Sequence, residues 1–133
     1  RQADLDTLLK ESDIVSCHAP LNEKTYHLMD AEAFGKMKET ALFINVGRGP
    51  IVNEKDLAKA LKKGKIAAAG LDVLEEEPMR KDNPLRKLEV GDRLLITPHI
   101  AWAAVEARTR LLHEVYKNLK AFQNGEKRNV CTH

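Results

Sequence analysis

The chain has 133 residues, 43% hydrophobic and 32% charged, the balance of a soluble globular domain rather than of a disordered or membrane chain. Its 22 basic and 20 acidic residues leave a formal net charge of +2, and they are mixed along the chain, which argues against a nucleic-acid-binding stripe. No run approaches the roughly 20 apolar residues of a membrane helix, and Cys17 and Cys131 stand far apart outside any CxxC pair, as free thiols of a cytoplasmic protein would.

The elements follow in chain order. Asp4 to Ser12 (DLDTLLKES) carries Leu5, Leu8 and Leu9 at helical spacing and reads as the end of a helix. Asp13 to His18 (DIVSCH) reads as a short buried strand, followed by the polar loop APLNEKT. Asp30 to Met37 is a short helix with Asp30 as N-cap. Ala41 to Val46 (ALFINV) is a second buried strand, leading into GRGP. Asn53 caps a helix from Glu54 to Lys63, with Asp56 placed as in a capping box and Gly64 as its stop. Ile66 to Val73 (IAAAGLDV) and Arg93 to Thr97 (RLLIT) are the third and fourth strands, separated by the long irregular stretch Glu75 to Asp92. A last helix spans roughly Ala104 to Gln123, and its stripe of Val105, Leu112, Val115, Leu119 and Phe122 reads as ordinary core packing. Continuous apolar strands with helices between them predict an α/β fold with a parallel, Rossmann-like sheet covered on both faces.

Neither GxGxxG nor GxxxxGK[ST] occurs, so a pyrophosphate loop is not contained in this chain. Open parallel sheets bind ligands beyond the carboxyl ends of their strands. Arg48 follows the second strand, Asp72 and Glu77 the third, and His99 the fourth. Convergence of those ends would gather an arginine, carboxylates and an imidazole. Arginine offers a planar fork that matches a carboxylate, and a histidine beside a carboxylate can exchange a proton near neutral pH. The set suits a 2-oxo acid. Each residue also has a plainer reading: Arg48 as a loop residue, Glu77 as part of a solvated acidic run, His99 as a strand-end histidine and Asp72 as a loop cap. His18 is expected to hydrogen-bond the loop that follows it, Trp102 to pack, and His27, His113 and His133 have no assigned partner. No spacing resembles a zinc site or a GxSxG elbow.

SDIVSCHAPLNEKT, the run from MKETALFINVGRGPIVNEK to AAAGLDVLEEEP, and ITPHIAWAAVEAR resemble, in order, the D-isomer-specific 2-hydroxyacid dehydrogenase family. The likeness runs from about Leu8 to Arg110, and the wording after His99 is most similar to the glycerate dehydrogenase (hydroxypyruvate reductase) branch. The resemblance implies that Arg48 grips the substrate carboxylate, that His99 is the general acid and that Glu77 is its partner. It further implies NAD contacts from Ala19, Pro20, Val46, Gly47, Arg48, Asp72, His99, Ile100, Ala101 and Trp102, with NADP left open as the cofactor.

Family members are usually more than twice this length. By resemblance, residues 1–101 are therefore the carboxyl-terminal half of a dinucleotide-binding domain, and residues 102–133 the closing helix and tail. The expectation is a chain that is inactive alone, whether a truncated protein or a fragment of a full enzyme. Its unpaired edge strand invites a homo-oligomer. The partner expected is a small 2-oxo or 2-hydroxy acid, with no nucleic acid, membrane or metal. The competing reading is a scaffold of the co-repressor type that senses NAD(H) without turnover. Arg48, Glu77 and His99 together favour the enzyme.

Overall fold

The computed structural model describes residues 2–131, so His133 lies outside the described residues. The chain divides into two compact units, Arg1–His99 and Ile100–His133. The first unit contains α1 (Leu5–Glu11), β1 (Ile14–Cys17), α2 (Ala31–Lys36), β2 (Leu42–Asn45), α3 (Glu54–Lys62), β3 (Ala68–Leu71) and β4 (Leu94–Ile96). The second contains α4 (Val105–Gln123).

Side chains that accept the first free N–H groups start three of these helices. Asp4 accepts from Thr7 N, Asp30 from Ala33 N and Asn53 from Asp56 N. The Asp4 cap corrects the reading of α1 as the end of a longer helix: the helix begins at Leu5. The expected capping box at α3 is half made, because Asn53 N–H donates to Met29 O instead. Gly64, at φ +68°, follows the last turn of α3 in the left-handed conformation that stops a helix.

Among the described residues the strands form one parallel sheet in the order β1-β2-β3-β4. Ile14 pairs with Leu42, Leu42 with Ala68, and Ala69 with Leu94. Each strand is laid beside the last in the same direction. Right-handed crossovers then bring α2 and α3 to one face of the sheet. That face carries Val15, Phe43, Ala69 and Leu71, which join Leu9, Phe34, Leu57, Leu61 and Ile66 in a single buried cluster. On the other side of the pleat Ile14 and Leu42 are exposed, as is Leu95 of β4. The connection from β3 to β4 has no α-helix, only a 3-10 turn at Gly91–Arg93, yet Leu85 is buried there and Met79, Leu88 and Val90 pack against the same core. The long loop thus does the covering that a crossover helix would do.

The second unit departs from expectation. Val105, Leu112, Val115, Leu119 and Phe122 are exposed, and Ala121 is the buried residue among those described in α4. The stripe is therefore not core packing. The physical reason is that a helix of 19 residues has, among the described residues of its own unit, no second element against which to bury an apolar face.

Phe43 is fully buried and meets Phe34 edge to face, with ring centroids 5.3 Å apart. Replacing it by alanine leaves a cavity between the sheet and α2. Phe43→Ala is expected to cost about 4 kcal/mol, read as a lower urea midpoint with an unchanged slope.

Candidate active site

Four loops meet the carboxyl ends of the strands. At the end of β2, Asn45 is fully buried and folds the following turn onto itself. Its Oδ1 accepts from Gly47 N at 3.0 Å, and its Nδ2 donates to Arg48 O at 3.0 Å. A Cβ on Gly47 would come 3.2 Å from Ala19 O, so the turn lies with bare backbone against the loop after β1. Gly49 is tighter still, because a Cβ there would sit 1.7 Å from Leu74 O. No side chain fits. The arginine between these glycines is exposed; its Nη1 donates to Gly47 O at 2.8 Å. Arg48 makes no ion pair with any of the described residues, which leaves its charge available to an incoming anion.

At the end of β3, Asp72 is buried. Its N–H donates to Asn45 O, and its carbonyl accepts from His99 N at 2.8 Å. Its carboxylate accepts from Thr97 Oγ1 at 2.5 Å. His99 adopts φ +55°, a left-handed conformation uncommon for a residue with a side chain, while its N–H is shared between Asp72 O and Thr97 O. Such strain gathers at functional sites. The ring is aimed by Glu77, whose Oε2 lies 2.8 Å from His99 Nδ1. An ionised carboxylate can only accept, so Nδ1 carries the hydrogen. The other oxygen of Glu77 accepts from Leu74 N at 3.0 Å. The imidazole first, and then the Leu74 N–H, hold the Glu77 carboxyl below the usual glutamate range.

The predicted residues fall into two clefts. One, of about 380 Å³, is lined by Asp72, Glu77, Thr97 and His99 with Leu74, Met79 and Ile96. The other, of about 560 Å³, is lined by His18, Ala19, Pro20, Val46, Gly47 and Arg48. Arg48 therefore lies at the adjoining strand end rather than in the cleft of His99. Ile100, Ala101 and Trp102 belong to the second unit, where Ile100 and Trp102 are exposed. His18 turns back to Ser16 Oγ at 2.8 Å rather than into the loop after it, because the alternating pleat puts residues 16 and 18 on one side. His27 stacks on Tyr26 and lies 3.5 Å from Glu75 Oε1. Sequence reasoning missed Asn45 and Thr97, which set the Arg48 turn and the Asp72 carboxylate. The one available signal was a polar residue at each end of an apolar run.

A profile of the D-isomer specific 2-hydroxyacid dehydrogenase NAD binding domain matches residues 1–101. The chain belongs to this family. It is 51% identical over 123 residues to a glyoxylate reductase of Thermofilum pendens, covering 92% of the chain and 35% of that protein. It is 47% identical over 131 residues to glyoxylate/hydroxypyruvate reductase B of Escherichia coli, covering 98% of the chain and 40% of that protein. Among solved structures, D-lactate dehydrogenase of Lactobacillus jensenii with NAD+ superposes with a TM-score of 0.85 at 33% identity, covering 98% of this chain and 42% of that one. The chain thus spans between 35% and 42% of the length of these three relatives. Among the described residues no helix is long and apolar enough to cross a membrane, and no His, Cys, Asp and Glu cluster could hold a metal ion.

The pairing of Glu77 with His99 can be read directly. Carbon-13 NMR of the Glu77 carboxyl is expected to give a midpoint below the ordinary glutamate value, and His99→Gln should move it back up. Because the folded-state value is depressed, this pair's stabilisation is present above the unfolded glutamate pKa and fades as pH falls through the folded one.

Proposed function

We propose that this chain supplies the proton-transfer and carboxylate-binding groups of an NAD-dependent oxidoreductase that interconverts a small 2-oxo acid and its D-2-hydroxy acid. The observation that carries the reading is the 2.8 Å contact of His99 Nδ1 with Glu77 Oε2, with Glu77 one strand away from an arginine that has no ion pair among the described residues. The residues at the strand ends fit the nicotinamide end of NAD. Bare backbone at Gly47 packs closely on Ala19, and the cleft beside it, lined by Pro20 and Val46, is open to a flat ring; Asp72 offers a buried carboxylate in the cleft of His99. When bound, the cofactor supplies or accepts a hydride at the substrate's C2.

The chain's own groups do the rest. Arg48 binds the substrate carboxylate through its two-pronged guanidinium and draws electron density from the adjoining carbonyl. His99 Nε2 gives a proton to the carbonyl oxygen during reduction and takes it back during oxidation. Glu77 holds the ring by Nδ1 and fixes the tautomer. Names of the relatives favour glyoxylate or hydroxypyruvate as the acid. NAD is the cofactor proposed, and NADP would use the same residues here.

In a complete enzyme containing this chain, NADH oxidation should depend on added glyoxylate or hydroxypyruvate. Arg48→Lys is expected to raise KM and lower kcat/KM by about 10²-fold, through loss of the fork. His99→Gln should lower kcat by roughly 10²–10⁴-fold, the range of general acid–base catalysis. The 133-residue chain by itself is expected to show no turnover; clear hydroxypyruvate-dependent oxidation of NADH by it would overturn the division of labour proposed here. We also infer that it self-associates along the β1 edge, where backbone groups are unpaired within the sheet and Ile14 is exposed. Sedimentation of a clean monomer at high concentration would refute that.

A further inference from the structure

The Leu74–Glu75 peptide is gripped from two sides. On one, Gly49 backs onto it with no space for a Cβ. On the other, Glu54 and Glu75 exchange a reciprocal pair of hydrogen bonds. Glu75 N donates to Glu54 Oε1 at 2.8 Å, and Glu54 N donates to Glu75 Oε1 at 2.8 Å. Glu54 Oε2 accepts from Asn83 Nδ2 at 2.6 Å, so the long loop is fastened to the same carboxylate. Glu54 is the first residue of α3 and is buried. Both of its carboxylate oxygens accept from the segment that carries Glu77 onward to β4.

Burying a carboxylate against neutral donors alone is expensive. Burial pushes the Glu54 carboxyl up, and the Glu75 N–H and the Asn83 amide pull against that. A group kept under such conditions calls for a mechanical role. The chain of contacts is short: Glu54 holds Glu75 N, the preceding Leu74 N–H holds Glu77 Oε1, and Glu77 Oε2 holds His99 Nδ1. Gly49, against the same peptide, is the residue after Arg48. We propose that Glu54 is a positioning residue, which locks the Leu74–Glu75 peptide against Gly49 and so sets the Glu77–His99 pair in register with Arg48. The proposal rests on the reading of that pair as catalytic only for its consequence for turnover; the positioning itself is tested without turnover.

The test is the Glu77 carboxyl midpoint, followed by carbon-13 NMR in the 133-residue chain. Glu54→Ala should raise it, by less than His99→Gln does, since Leu74 N–H is second to the imidazole among the groups that hold it down. Glu54→Gln keeps an oxygen for Glu75 N–H and should leave the midpoint close to wild type. Phe43→Ala, destabilised elsewhere, should not move it, which separates positioning from general loss of stability. A folded Glu54→Ala chain with an unchanged Glu77 midpoint would overturn the proposal. Should that variant not fold, Glu54→Asp takes its place, because it keeps the charge but withdraws the carboxylate by one carbon. An unchanged midpoint there would be equally decisive. If the midpoint moves while His99→Gln leaves turnover of the complete enzyme intact, the positioning stands and the catalytic reading falls.

Discussion

Three strand ends are tied together by the main chain of one residue. Asp72 donates its N–H to Asn45 at the end of β2 and receives the N–H of His99 beyond β4 on its carbonyl. Its carboxylate meanwhile holds Thr97. Parallel strands hydrogen-bonded in step end together, and here the ladder is carried one residue past the last paired positions, Leu71 with Asn45 and with Ile96. The turn of Arg48 and the backbone of His99 both hang from these three ends. If Asp72 shifted, the Arg48 turn and the His99 ring would separate.

The site is strained where it is useful and satisfied around it. His99 holds a left-handed backbone, which carries a penalty of order 1–3 kcal/mol, and it is kept there by two main-chain acceptors and by the Glu77 carboxylate. Asn45 is buried with its amide hydrogen-bonded at both ends. The Glu54–Glu75 exchange closes the backbone of the loop onto the start of α3. Fixed surroundings of this kind hold the imidazole to one tautomer and one aim.

Arg48 differs in kind from its neighbours. Its main chain is rigid, with Gly47 against Ala19 O and Gly49 against Leu74. The side chain is exposed and rests on a single carbonyl. A guanidinium placed this way has no competing carboxylate among the described residues to be displaced before an anion could approach it.

Much of this was legible in the sequence, for local reasons. Caps at Asp30 and Asn53, the stop at Gly64 and the apolar runs of β1 to β4 are each decided by residues within a few positions of one another, where propensity and hydrogen bonding act without help from the rest of the chain. The motifs around Arg48, Glu77 and His99 were equally visible, and so was the likelihood of chemistry at strand ends. What only the tertiary structure decided depends on distant partners. The reciprocal contact of Glu54 and Glu75 spans 21 residues and the Thr97–Asp72 bond 25, and no local pattern reports such pairings. The alternate pleat sent His18 to Ser16, and strand order brought α2 and α3 to one face. The stripe on α4 shows the limit most simply. Its periodicity settled which face is apolar, but burial needs a second surface, and the residues of one helix cannot supply it.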